Sequence, residues 1–148
     1  MTDYEALAAR CEAAGGPSED INEAIMAALF MRDERHIGAV DADTDEPLAD
    51  KVWVDPKTNR WVSTHAFLFT GSIDDAMRLM PKDFAWTLAT LAAHDTKACR
   101  YWVLLGLPDE SRASYQAIAA TPATALVAAC LRAKASSISN GERSDPQS

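Results

Sequence analysis

Few stretches of this chain combine chemically competent residues at a spacing that chemistry requires. The clearest is DADTDE, where Asp41, Asp43 and Asp45 take the first, third and fifth positions of a calcium-binding loop. Such a loop needs glycine at its sixth position for a sharp turn and a bidentate glutamate at its twelfth. Those positions hold Glu46 and Val52, so the stretch reads as a solvated acidic segment and no metal is expected. His36, His65 and His94 are far apart, never at the four-residue separation by which a helix presents two metal ligands. No glycine-rich phosphate loop, G-x-S-x-G turn or H-E-x-x-H pair occurs. Asp74 and Asp75 stand where the first turn of a helix favours acids, which makes them capping residues before catalytic ones.

The aromatic residues are the more suggestive set. Trp53, Trp61, Trp86, Tyr101 and Trp102 fall in β-prone runs, with Arg60, Lys97, Arg100 and Arg112 nearby. By strand alternation Arg100 and Trp102 share one face. A fixed cation beside a stacking plane suits a flat, anionic, nucleotide-like ligand. The same residues also suit a core, because tryptophan fills it and arginine lies over its rim to reach water. The candidate ligand set is therefore Arg100, Trp102, Arg60, Trp61 and Arg112. A second candidate surface is acidic: Asp41, Asp43, Asp45 and Glu46, aimed at a basic partner.

Charge supports that second surface. Residues 1–50 carry 13 acidic and 3 basic side chains, a balance of −10, while residues 51–148 carry 9 and 11, a balance of +2; together they make the net charge of −8. Direct nucleic-acid binding depends on cations that neutralise phosphates, so it is not expected. The 148 residues, 48% hydrophobic and 24% charged, suffice for one ordinary domain with a real core. No run is apolar enough to span a membrane, and the acidic, amphipathic MTDYEALAAR resembles no secretory or transit segment, so a cytoplasmic protein is expected. Cys11, Cys99 and Cys130 are odd in number and widely separated, which fits small buried hydrophobes and not a disulfide framework.

These residues must be positioned by elements the pattern also predicts. Thr2 and Glu5 form a capping box for a helix over about 3–14, with Tyr4, Leu7, Ala8 and Cys11 on one face. GGPS stops it, and Ser18 starts a second helix with Ile21, Ala24, Ile25, Ala28 and Leu29 in register. Residues 31–50 turn polar and acidic and read as a long surface loop. KVWV and RWVSTHAFLF flank the turn-rich DPKTN as a hairpin. A helix starts at Ser72 and ends at Pro81. FAWTLATLA, KACRYWVLLGL and ASYQAIAA follow as three strands joined by short polar links. In ATPATALVAACLRAKA, Thr121 caps, Pro122 opens, and Leu126, Val127, Cys130 and Leu131 form the stripe of a helix lying as a lid on the sheet. The expectation is one α+β domain over residues 1–135, in the order α-α-β-β-α-β-β-β-α, with 136–148 as a disordered tail.

Residues 66–134 also resemble a family of small phage and prophage proteins of unannotated function. The resemblance is carried by FTGSIDDAMRLMP, DFAWTLATL, YWVLLGL and AIAATPATALVAACLRAKA, while LAARCEAAGGPSEDINEAIMAAL is similar to the family's opening helix pair. It implies a phage source and an α-β-α sandwich fold, and brings no catalytic residues. The resulting expectation is a non-enzymatic accessory protein without a cofactor, acting in the bacterial cytoplasm. It would counter host defence by sequestering a nucleotide signal, or alternatively by docking a host defence protein through its acidic half. A small enzyme is the third reading. A strand apolar on both faces in a domain this small also predicts a homo-oligomer, with a dimer favoured.

Overall fold

A computed structural model describes residues 3–82, 84–92, 99–107 and 110–144. They form an α+β protein of four helices and two three-stranded antiparallel sheets. The chain divides into two compact units, residues 1–21 with 68–148, and residues 22–67. No described helix is long and apolar enough to cross a membrane.

In the first unit, α1 (Tyr4–Ala13) buries the predicted stripe of Tyr4, Leu7, Ala8 and Cys11. Its cap is Asp3, whose carboxylate accepts the Ala6 N–H at 3.0 Å; Thr2 lies outside the described residues. Ser18 caps α2 (Glu19–Leu29) by accepting the Ile21 N–H at 3.3 Å. The Ser18 N–H is itself tied to Thr70 Oγ1 at 2.8 Å, which fixes the chain entering α2. Ser72 caps the short α3 (Ile73–Ala76), and one 3₁₀ turn carries the chain on to Leu79, just before Pro81.

The three predicted strands follow as β4 (Ala85–Ala92), β5 (Cys99–Leu107) and β6 (Glu110–Ala119), with β5 central. Their register puts Tyr101, Val103 and Leu105 on one face with Ala117 and Ala119 of β6, and Arg100, Trp102 and Leu104 on the other with Gln116 and Ile118. The first face is the core face, where Val103, Leu105, Ala117 and Ala119 are all buried. Helix α4 (Pro122–Ser144) packs on β5 and β6 and also against α1 and α3. Thr121 caps it as expected, accepting the Thr124 N–H at 3.1 Å. Two expectations for this helix are corrected. It runs on to Ser144 instead of ending in a tail at 136. It is also no lid, because every residue from Ala123 to Leu131 is buried, on all sides of the helix. Alanines at 123, 125, 128 and 129 allow that, since small side chains let neighbouring elements approach an entire helix circumference.

The second unit holds the largest departure. Residues 31–50, read as a loop, form β1 (Met31–Val40), a tight turn, and the start of β2 (Pro47–Asp55). β1 pairs antiparallel with β2 from Met31↔Val54 to Val40↔Pro47, and β3 (Arg60–Ser63) pairs on the far side of β2. The true order therefore has three strands before α3, not two. The register slips between His36 and Val40, where Gly38 takes a φ of 83°, a conformation that costs glycine little. The β2–β3 turn is as predicted: the Asn59 N–H donates to the Asp55 carbonyl at 2.7 Å, and Asn59 is left-handed at φ 59°. Only Val52, Trp53 and Val54 of β2 are buried.

Candidate functional site

Asp41, Asp43, Asp45 and Glu46 converge at the tip of the β1–β2 hairpin. The turn is closed by the backbone, with the Asp41 N–H on the Glu46 carbonyl at 2.9 Å and the Asp45 N–H on the Asp41 carbonyl at 2.8 Å. Asp45 sits at φ 58°, a conformation aspartate tolerates better than most residues. Asp41 has a structural task, since its carboxylate accepts the N–H groups of Asp43 at 2.7 Å and Thr44 at 3.3 Å. That is an Asx turn, in which a side chain replaces a missing backbone acceptor. Asp43, Asp45 and Glu46 are exposed. The ribbon beneath them is charged on both strands and braced by Arg35, which pairs with Asp33 at 2.8 Å and donates to the Asn59 carbonyl and side chain at 3.1 and 2.8 Å. The bond from Arg35 holds the Asp33 carboxyl below its ordinary range, with the Glu34 N–H adding to it.

The basic and aromatic candidates are distributed over two sheets. Arg60 and Trp61 lie on β3, Trp61 largely exposed and paired in register with Val54. Arg100 and Trp102 lie on β5 and share a face, as alternation requires. Trp102 is half-buried and donates its indole N–H to Gln116 at 3.1 Å. Arg112 is on β6, with its side chain outside the described residues, as are His94 and Lys97. One cation stacked on an aromatic ring has no counterpart among the candidates expected from the sequence. Arg32 lies 4.7 Å above the buried Trp53 ring, and the two residues face each other across the β1–β2 ladder. Taking 31–50 as loop hid that register. The Trp53 indole N–H has no hydrogen-bond partner among the described residues.

Other candidates have structural tasks. Asp75 accepts the Leu68 N–H at 2.8 Å and pairs with Arg78 at 3.2 Å. Burial pushes the Cys11 and Cys130 thiols up to about 12, which favours the protonated thiol at neutral pH. The side chain of Cys99 lies outside the described residues. His36 is exposed on β1, and His65 follows β3, with its carbonyl accepting the Ser63 hydroxyl.

A charged network that no motif advertised ties α1, α4 and β6 together. Arg132 forms a two-pronged pair with Glu12, whose other contact is the Ile118 N–H at 3.1 Å, and donates to the Gln116 carbonyl at 2.9 Å. Glu5 lies 3.5 Å from the same guanidinium. The Arg132 bond, with help from Ile118, holds the Glu12 carboxyl below its ordinary range despite partial burial. A shallow pocket of about 180 Å³ opens beside the start of α4, lined by Pro17, Thr70, Gly71, Ile73 and Thr121 among others. No family model matches the chain, and neither a curated protein nor a solved structure is similar to it.

Proposed function

We propose that this protein acts by binding, without catalysis, and docks a basic partner protein through the tip of the β1–β2 hairpin. The observation that carries this is the convergence of Asp43, Asp45 and Glu46 on an exposed turn whose shape Asp41 maintains. Carboxylates on a backbone-braced ribbon lose less conformational freedom on association than the same charges on a free loop. A bacterial defence protein is the first partner class to test, a choice that rests on the motif resemblance of residues 66–134 alone, since no comparison matches the chain.

The test is a chain carrying D43N, D45N and E46Q, with Asp41 kept to preserve the turn. Its stability should stay within about 0.5 kcal/mol of the parent, since the changes are superficial. Proteins captured from host cytosol by the parent chain would then be measured for association with both forms at rising salt. Slower association and a flatter salt dependence are expected, because rim charges act mainly on encounter rates. Equal rates for the two forms would sink the reading.

A second reading, capture of a nucleotide signal, is favoured by Arg100 and Trp102 sharing an accessible face of β5. Calorimetry with cyclic and ADP-ribose-type nucleotides separates the two: heat that R100E abolishes and the hairpin variant retains would favour the nucleotide.

A further inference from the structure

The two edges of the β4–β5–β6 sheet are finished differently. On the outer edge of β6, Glu12 takes the Ile118 N–H and Arg132 takes the Gln116 carbonyl. An added strand would need both of those backbone groups, and a charged pair stands in its way. Among the described residues, none guards the outer edge of β4 in this way. Its residues Ala85–Ala92 contain no charge and no proline, pair with β5 in unbroken register, and have β5 as their ladder partner among the described residues. Such a strand presents alternate N–H and C=O groups ready for pairing. Its side chains are also incompletely covered: Leu88 on the core face is 39% exposed and Leu91 on the opposite face 40%.

We propose that β4 pairs antiparallel with β4 of a second copy about a two-fold axis at Leu88, merging two sheets into one of six strands. The strand is complementary in size to its own reverse. Around that axis Trp86 faces Thr90 and Ala85 faces Leu91, large side chains opposite small ones, while Leu88 meets Leu88 of the partner. No residue from 84 to 92 is charged, so no like charges meet along the paired strands themselves. Directly opposite residues lie on the same side of a sheet, which places both α4-covered faces together and buries Leu88 and Trp86 between them. The two-fold pairing is closed, so it ends at two copies and does not grow into a fibre.

The experiment is light scattering on the full chain across a wide range of concentration, with circular dichroism as the check on folding. The parent should have the mass of two 16.0 kDa chains. L88K and L88E should each halve that mass, because like charges would meet on the axis, and an equal mixture of the two should restore it. L88C should link two copies on mild oxidation where the parent does not, a readout that survives if either charged variant fails to fold. A parent that stays a single chain, a dimer that L88K leaves intact, or an L88C chain that fails to link would overturn the proposal. So would a monomeric parent that binds another protein through β4, since the edge would then serve a different partner.

Discussion

In α4 every residue from Ala123 to Leu131 is buried, whereas in the β1–β2 hairpin nearly all described side chains from Met31 to Lys51 are at least partly exposed. Both are regular and both are closed by a side-chain cap, Thr121 for the helix and Asp41 for the turn. Their stability comes from different sources. The helix draws on removal of apolar surface from water, at roughly 25 cal/mol per Å². The hairpin has a backbone ladder, the Arg35 bridge to Asn59 and the Arg32–Trp53 stack, each of which contributes modestly in water. The contrast teaches that order and burial are separable: a segment with almost nothing buried can still hold one conformation when its register is pinned at both ends.

Substitutions can break that contrast, and the largest effect is expected in the helix. Leu131→Asp would bury an unpaired charge in α4 and should cost about 3–5 kcal/mol, read as a large fall in the unfolding midpoint. A shift of a degree or two would mean that the helix is not packed all round. Next comes the charged network. Glu12→Gln removes the closer of the two carboxylates on Arg132, leaving Glu5 at 3.5 Å, and should cost about 2 kcal/mol. Because the folded Glu12 carboxyl is held below its ordinary range, its contribution is complete above about pH 4.3 and is lost as pH falls from there through the lowered value. The parent should therefore lose stability toward low pH along a steeper limb than Glu12→Gln, and parallel curves would argue against the pairing. The smallest effect belongs to the hairpin. Gly38→Ala meets no neighbour within 4 Å but must adopt a φ of 83°, so it should cost only about 1 kcal/mol. Amide exchange should quicken in the hairpin alone and stay slow in α4.

Legibility followed burial. The stripe of α1, the cap and start of α4, the Ser72 cap and all three strands of the second sheet could be read because apolar side chains repeat at the period of the element they cover. β1 could not be read, since MRDERHIGAV shows no apolar alternation and none of its described side chains is buried. Among candidate site residues, adjacency in sequence carried the acidic cluster into one turn. Arg60, Trp61, Arg100 and Trp102 were grouped only by composition, and the structure assigns them to two different sheets.

By itself the sequence determined the α+β class, the caps of α2, α3 and α4 and the acidic balance of its first 50 residues, because propensity, capping and charge are local properties. The tertiary structure decided that α4 is enclosed and not a lid, that 31–50 is a ribbon, and that Glu12, 106 residues before Ile118, guards one sheet edge while no described residue pairs with the outer side of β4. Those outcomes depend on which surfaces meet, and contacts across that many residues leave no periodic trace in either partner alone.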